Sequence, residues 1–244
     1  MREYDHHMRI VVILIIIGIV GCLLFQGIRF FVLTRKSSEL VKMSARYERR
    51  LTEGKPRILV IGDSTGVGTG VDDPTESIAG MFGTEFPSAY IQNESVNGWK
   101  VADAVRNFPN VPHQDFDIVL LQIGANDILR ATPMTEFTVT LEELFRKSTA
   151  AGKKVYALHS GNIGLAPLFP WPVSRIMRSR TLRYRAEYTR IAAQNGVTYV
   201  DLYHEAEDDP FREKPEAYAA DELHLTGAGY AEWYRTIREV MKEI

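Results

Sequence analysis

A serine and a distant Asp-His pair carry the side chains that serine-based acyl transfer needs. Ser64 closes a Gly-Asp-Ser motif directly after the apolar run Arg57–Ile61, and an Asp-x-x-His motif follows near the end of the chain, from Asp221 to His224. A serine hydroxyl becomes nucleophilic when a histidine accepts its proton and a carboxylate holds that histidine in the right tautomer. The pattern predicts Ser64 as nucleophile, His224 as base and Asp221 as the group that orients the base.

Two motifs between these residues contain candidate hydrogen-bond donors for an oxyanion. Gly98 follows an asparagine, and Asn126 lies in a Gly-Ala-Asn-Asp motif. Acyl transfer builds negative charge on the carbonyl oxygen, and each donor prearranged there contributes about 3–4 kcal/mol. We expect the hole to consist of the backbone N–H groups of Ser64 and Gly98 and the side-chain amide of Asn126. Glycine suits position 98 because it lets a substrate approach the backbone closely.

Each motif alone has a simpler explanation. Gly-Asp-Ser is common in turns at strand ends, an Asn-Asp pair often caps a helix, and Asp and His both favour surfaces. Their combination in one order is what favours catalysis. Three other histidines lack comparable partners and are assigned no role: His113, His159 and His204.

The segments between these motifs alternate between strand and helix patterns. The predicted strands are Arg57–Ile61, Ala89–Val96, Asp117–Ile123, Lys153–His159 and Val197–Leu202. The predicted helices are Thr75–Phe86, Val101–Phe108, Met134–Ala151, Ser174–Asn195 and Ala228–Ile244. Such alternation is typical of a doubly wound α/β fold, in which helices cover both faces of a parallel sheet.

This fold would bring the candidate residues to one edge of the sheet. Ligands of doubly wound sheets bind at the carboxyl ends of the strands. Ser64 follows the first predicted strand, Gly98 the second and Asn126 the third, while Asp221 and His224 precede the last helix. The glycine-rich stretch after Ser64 is expected to form a flexible turn that exposes the hydroxyl.

These four motifs resemble those of the SGNH (GDSL-type) hydrolase superfamily. The family is named for four blocks, which correspond here to Ser64, Gly98, Asn126 and His224. The resemblance covers about residues 57–244 and implies a flavodoxin-like three-layer α/β/α sandwich, no cofactor, no metal, and hydrolysis of carboxylic esters or thioesters. Thr65 stands where the family name has leucine. Because the family includes lipases, thioesterases and esterases that deacetylate carbohydrates, the resemblance leaves the choice between small-molecule, lipid and acylated-glycan esters open.

The composition places these motifs in a single globular domain. The chain has 244 residues, of which 45% are hydrophobic and 25% charged, and its formal net charge of −2 does not favour nucleic acid. Its single cysteine, Cys22, lies in the apolar N-terminal stretch. The globular part therefore has no cysteine for a disulfide, a thiolate zinc site or a nucleophile.

The N-terminal stretch predicts a membrane anchor. Residues 10–25 are all apolar or glycine, and after Gln26, Gly27 and Arg29 the apolar run resumes to Leu33. A bilayer core requires about 20 apolar residues, so this stretch is long enough to span one. Signal-peptide cleavage or lipidation at Cys22 remains an alternative, although the stretch lacks a basic start and stays apolar beyond the cysteine.

We expect residues 1–34 to form the anchor, 35–55 a juxtamembrane helix and linker, and 56–244 the hydrolase domain. Apolar residues at helical spacing predict an amphipathic helix over Ser37–Thr52. Basic residues after the span favour a cytoplasmic domain, but large domains can translocate regardless of charge, so the side of the membrane stays open.

A proline-stiffened apolar loop, residues 164–173, and an arginine-rich helix follow the fourth predicted strand. The loop is interpreted as a cover for the core or as an apolar wall for an acyl chain. Six arginines could meet anionic headgroups or instead form a solvated helix face: Arg175, Arg178, Arg180, Arg183, Arg185 and Arg190.

Two rival functions use the same serine loop. Gly-x-Ser-x-Gly is also the nucleophile motif of α/β-hydrolases, but those place several strands before the serine and the acid well upstream of the histidine. The loop from Gly62 to Gly70 could instead cradle a phosphate or nucleotide, as in a flavodoxin-like binding module. The second alternative leaves Asp221 and His224 without a task.

Overall fold

A five-stranded parallel sheet forms the centre of the domain. The computed structural model describes residues 2–241. The strands are β1 (Arg57–Gly62), β2 (Tyr90–Asn93), β3 (Phe116–Gln122), β4 (Gly152–Leu158) and β5 (Thr198–Tyr199), in the order β2-β1-β3-β4-β5 with every neighbouring pair parallel. The predicted α/β fold with a five-stranded parallel sheet is confirmed.

Helices precede the sheet and cover both of its faces. They are α1 (Arg2–Met43), α2 (Ser64–Val67), α3 (Ile78–Glu85), α4 (Val101–Arg106), α5 (Ala125–Leu129), α6 (Met134–Ala151), α7 (Val173–Gln194) and α8 (Gly227–Val240). Short 3₁₀ turns occupy Pro74–Glu76, Ile163–Leu165 and Pro215–Ala217.

The strands are almost wholly apolar because each of their faces packs on a helical layer. On β1, Leu59 and Ile61 join a core with α4, α6 and α7, whereas Ile58 and Val60 join a second core with α3 and α8. Alternate residues of a strand point to opposite faces, so a strand covered on both sides needs an unbroken apolar run. This arrangement is the three-layer sandwich that the resemblance implied.

The structure shortens the edge strands and divides one helix. The predicted strands 89–96 and 197–202 are reduced to β2 and β5, which are the two edge strands of the sheet. The predicted helix 75–86 splits before α3, because the Ser77 side chain accepts a hydrogen bond from the N–H of Gly80 at 3.1 Å and caps a new start there. The predicted last helix is observed as α8, and residues 242–244 lie outside the described residues.

The predicted juxtamembrane helix 37–52 is wrong beyond Met43. Its first part continues α1 without a break, and residues 44–52 are not helical. Arg49 instead forms an antiparallel bridge with Ile91 of β2, with N–H···O distances of 2.9 and 2.6 Å. The free edge of β2 offers backbone partners that a helix here would leave unused, and pairing protects that edge. The domain boundary predicted at residue 56 stays a prediction.

The side chain of Arg49 reinforces this bridge. Its guanidinium donates hydrogen bonds to the carbonyl oxygens of Gly83, Phe86 and Pro87 at 2.9, 3.2 and 2.8 Å. We expect Arg49→Ala to lower the free energy of unfolding by about 1–3 kcal/mol, because three carbonyl oxygens lose the hydrogen bonds that they accept from a charged donor. Arg50→Ala is the control, since its exposed ion pairs with Glu48 and Glu94 contribute about 0–1 kcal/mol. Urea unfolding checks both variants, and equal effects would contradict a structural role for Arg49.

Candidate active site

Ser64 lies at the carboxyl end of β1, beside the end of β3. Gly62 pairs in register with Gln122, so the two strands end together. Asp63 then caps α2 by accepting a hydrogen bond from the N–H of Thr65 at 2.9 Å, and Ser64 is the first residue of this short helix. Ser64 is half-buried. The flexible turn predicted after Ser64 is wrong, because its first three residues, 65–67, are helical.

The helix α2 ends at a glycine for a steric reason. Gly68 has a φ of +84°, which favours glycine, and its N–H donates to the carbonyl of Ser64 at 3.0 Å. The left-handed turn at Gly68 thus ends α2 after four residues.

Asp221 and His224 form a tightly bonded pair. His224 Nδ1 lies 2.6 Å from Asp221 Oδ2, and the N–H groups of Leu223 and His224 donate to Asp221 Oδ1 at 3.1 and 3.0 Å. Burial alone would raise the pKa of Asp221, but the ring of His224 and these N–H groups hold it below its ordinary value. The carboxylate therefore stays ionised, and Nε2 is the ring nitrogen left for another partner.

Asn126 and Asp127 hold the loop that contains Gly98. Asn126 Nδ2 donates to the carbonyl of Trp99 at 3.1 Å, and Asp127 Oδ2 accepts the N–H of Val101 at 2.9 Å. Because an amide carries two N–H bonds, Asn126 keeps one for a further acceptor. Gly98 has a φ of +80°, so a glycine is needed there for the backbone as well as for access.

Asp63 is a buried carboxyl beside Ser64. It is 0% exposed, and its Oδ1 accepts the N–H and the hydroxyl of Thr65, both at 2.9 Å. Its Oδ2 has no hydrogen-bond partner among the described residues. Burial raises the pKa of Asp63 to about 6, although the hydrogen bonds from Thr65 act in the opposite direction.

One pocket of about 270 Å³ brings most of the predicted residues together. Ser64, Gly98, Asn126 and His224 all line it, whereas Asp221 lies behind His224 and does not. The rest of the wall is largely apolar, with Leu129, Ile163, Leu165, Phe211, Leu223 and Trp233 among its members. A concave apolar site with a few polar groups at one end suits a substrate that has an apolar part.

Several pocket residues escape the sequence analysis. Ser37 and Val41 of α1 line the pocket although they precede the domain, and His204 and Ser160 line it although no role was predicted for His204. One feature of the sequence could have pointed to the two residues of α1. The apolar run is interrupted at Gln26 and Arg29, which indicates that one face of the helix beyond this point is polar.

The apolar loop 164–173 contributes residues to the pocket wall, whereas the arginines of α7 do not line the pocket. Of the apolar loop 164–173, Leu165 and Ala166 lie in the pocket wall. Three of the six arginines form ion pairs within the domain: Arg178 with Glu205, Arg185 with Asp201 and Arg190 with Glu187. These pairs favour a solvated helix face for that half of the arginines.

His159 is a structural neighbour of the site. Burial lowers its pKa to about 4, so the ring is neutral near pH 7, and its Nδ1 lies 3.1 Å from Ser160 Oγ. In the described part of the chain, no group of three or more His, Cys, Asp or Glu side chains is arranged to hold a metal ion.

Comparison with known proteins agrees with this arrangement. The sequence profile of the GDSL-like lipase/acylhydrolase family matches residues 60–232. Comparison with curated protein sequences gave no match.

Similar solved structures include TesA, with 21% identity, a TM-score of 0.58 and coverage of 76% of this chain and 98% of that one. A catalytic mutant of the acetylxylan esterase Axe2 from Geobacillus stearothermophilus has 20% identity, a TM-score of 0.56 and coverage of 77% and 94%. The psychrotrophic esterase EstA from Pseudoalteromonas sp. has 19% identity, a TM-score of 0.54 and coverage of 77% and 97%. At these identities the likeness concerns the fold alone.

The buried carboxyl of Asp63 predicts a pH-dependent stability. Its pKa rises from the ordinary 3.8 to about 6, so the folded state favours the protonated form and loses stability as the pH rises from about 4 to above 6. At about 1.4 kcal/mol per pKa unit, the loss is of the order of 3 kcal/mol. Because Asn cannot ionise, Asp63→Asn should gain stability relative to the parent protein across this range.

Urea unfolding at pH 4 to 7 measures this difference. Asp72→Asn is the control, because Asp72 is exposed and its variant should keep a constant offset from the parent protein. Parallel stability curves for Asp63→Asn and the parent would show that Asp63 ionises in the fold as readily as it does in the unfolded chain.

Proposed function

This chain belongs to the GDSL-like lipase/acylhydrolase family and is a serine ester hydrolase, and we propose that it cleaves carboxylic esters or thioesters through an acyl-enzyme on Ser64. The observation that carries the proposal is the shared pocket of Ser64 and His224, with the buried carboxylate of Asp221 bonded to His224 Nδ1 at 2.6 Å. A serine hydroxyl is activated when a histidine oriented by a carboxylate accepts its proton, and these residues can fill those roles.

The proposed first half-reaction forms the acyl-enzyme. Ser64 Oγ attacks the carbonyl carbon while its proton passes to His224 Nε2, which gives a tetrahedral oxyanion and an imidazolium stabilised by Asp221. The intermediate then collapses, the bond to the leaving oxygen or sulfur breaks, and His224 returns the proton to the departing alcohol or thiol.

The second half-reaction releases the acid. A water molecule attacks the acyl carbon as His224 accepts one of its protons, and collapse of the second oxyanion breaks the bond to Ser64 Oγ. His224 then returns the proton to Ser64, and the carboxylic acid leaves the pocket.

We propose that the oxyanion is held by the N–H groups of Ser64 and Gly98 and the free N–H of Asn126. The bond from Asn126 to the carbonyl of Trp99 fixes the amide before substrate arrives, so little reorganisation is needed in the transition state.

We also propose that the enzyme is attached to a membrane through α1. Within the described residues, one helix, beginning near Ile10, is long and apolar enough to cross a bilayer, and its apolar part is fully exposed. A signal sequence has the same character. Lipidation at Cys22, the second route, would also attach the chain to a membrane.

The phosphate-binding alternative receives less support. In the Gly62–Gly70 loop, the first turn is the helix α2, and the buried carboxyl of Asp63 lies beside it. The negative charge of a carboxylate beside the loop would repel a phosphate. A phosphate-binding module would also give the Asp221–His224 pair no role.

The nucleophile assignment predicts the behaviour of two variants. Ser64→Ala removes the attacking oxygen and His224→Ala removes the base, so each should abolish turnover of p-nitrophenyl acetate while the fold is retained. Ser64→Ala should also end labelling by a fluorophosphonate probe. Ser88→Ala and His113→Ala, both at exposed positions, are the matched controls and should keep activity. A probe adduct mapped to any residue other than Ser64 would refute the mechanism.

The oxyanion assignment predicts a smaller loss at Asn126. Asn126→Ala should lower kcat by about 10²–10³-fold with little change in KM, because the amide bonds to charge that develops only in the transition state. Steady-state kinetics separates the two constants. An increase in KM alone would instead indicate that Asn126 binds the ground state of the substrate.

A further inference from the structure

Helix α1 has two parts with different surroundings. Every residue from Ile10 to Phe25 is exposed. Beyond them, buried and half-buried positions return at three- or four-residue spacing, at Gln26, Arg29, Leu33, Ser37 and Leu40. Residues with that spacing share one face of a helix. The second part of α1 therefore packs one face on the catalytic domain.

The change of surroundings falls where a bilayer would end. From Ile10 to Ile28 a helix is about 28 Å long at 1.5 Å per residue, close to the hydrocarbon thickness of about 30 Å. Arg29 then lies at the interface, and the packed part of α1 extends above it. The domain thus sits directly on the end of the predicted span.

Arg29 binds the loop that carries the Asp-His pair. Its Nη2 lies 2.7 Å from the carbonyl oxygen of Pro167 and forms an ion pair with Glu222, and its Nη1 lies 3.3 Å from the carbonyl oxygen of Leu168. Glu222 stands between Asp221 and His224 and has a φ of +60°, in the left-handed region. The side chains of Arg29 and Glu222 are only 25% and 37% exposed, so the ion pair is partly shielded from water.

Ser44, the residue that follows α1, is bonded to the loop that carries Gly98. Asn97 Nδ2 donates to Ser44 Oγ at 2.9 Å, and its Oδ1 accepts the hydroxyl of Thr69 at 2.6 Å. Asn97 directly precedes Gly98. Contacts at both ends of the packed part of α1 thus reach loops on two sides of the candidate site.

Between these contacts, α1 supplies part of the pocket wall. Ser37 and Val41 are four residues apart, so they lie on one face of the helix, and both line the pocket that contains Ser64 and His224. Ser37, the nearer of the two, lies about 12 Å beyond Arg29 along the helix axis. Helix α1 thus forms one wall of the pocket, and a bilayer that ended at Arg29 would lie close to it.

We propose that α1 is a working part of the substrate site, with Val41 as a specificity residue and Arg29 as a positioning residue. Its substrate is an amphiphilic ester whose acyl chain comes from the adjacent leaflet. The inference rests on the proposed function. A wall carried by the anchor keeps the pocket beside the bilayer, and the apolar lining offers an acyl chain an environment that water does not.

Two esters presented to the same vesicles test the substrate class. The full chain is reconstituted in phosphatidylcholine vesicles with p-nitrophenyl palmitate in the bilayer or p-nitrophenyl acetate in the water. We expect Val41→Phe to lower kcat/KM for the palmitate by about 10-fold or more through KM, since small changes in an apolar pocket discriminate about 10- to 200-fold. The acetate, whose acyl group is far smaller, should lose much less, so that the ratio of the two kcat/KM values falls by about 10-fold or more. Val139→Phe is the matched control, 68% exposed on α6.

The outcomes separate this inference from the proposed function. Turnover of acetate but not of palmitate by the parent protein would overturn the inference and leave the esterase mechanism intact, as would an equal effect of Val41→Phe on both esters, or none. Failure of the parent to cleave either ester would refute the proposed function and this inference with it.

A charge reversal tests the positioning role of Arg29. Arg29→Glu should lower kcat for both esters by about 10- to 100-fold, since a displacement of about 1 Å in a catalytic group can cost about 10²-fold. Adding Glu222→Arg restores the ion pair and should recover most of the rate, which general destabilisation would not explain. Arg35→Ala, at an exposed position of α1, is the control. A double variant no faster than Arg29→Glu at the same unfolding midpoint would overturn this role.

Discussion

The parallel pairing of β1 with β3 is the constraint on which the site depends. Gly62 and Gln122 are paired, so both strands deliver their next residues to the same edge of the sheet. The chain leaves β1 toward Ser64 and β3 toward Asn126, and β2, on the other side of β1, delivers the loop with Gly98. Since the strand order reverses between β1 and β3, their following segments diverge and open a crevice there. Groups far apart in sequence thereby share one pocket.

Three buried aspartates surround that crevice, and their environments differ. Hydrogen bonds keep Asp221 ionised, whereas burial raises the pKa of Asp63 and of Asp127. The negative charge of Asp221 is therefore stabilised behind His224, whereas burial penalises the charged forms of Asp63 and Asp127. The ionised Asp221 suits the proposed proton transfer, because its charge stabilises an imidazolium at His224.

Helix α1 has two parts whose surfaces differ in polarity. Its first part is apolar on every side, as a lipid-facing helix must be. Its second part has one face of mixed polarity that meets the domain through Arg29, Leu33 and Ser37, while the opposite face stays exposed. A flexible linker would leave the orientation of the pocket free. A continuous helix, bonded to one loop of the site through Arg29 and to a second through the following residue Ser44, fixes the pocket relative to the apolar part of α1.

The sequence by itself determined the layered fold and pointed to Ser64, Gly98, Asn126 and His224, which line one pocket. Apolar runs at β1, β3 and β4 and the long amphipathic pattern of α6 depend on local composition, which is why their bounds were predicted closely. The edge strands, the turn after Ser64 and the end of α1 depend on partners elsewhere in the chain, and Arg49 pairs with β2 where a helix was predicted. Only the tertiary structure decided that Ser37 and Val41 face the pocket and that Arg29 meets Glu222. Such contacts join residues that are distant in the sequence. They depend on how the helices and loops pack together, and the residue pattern of one segment does not show which other segment it will meet.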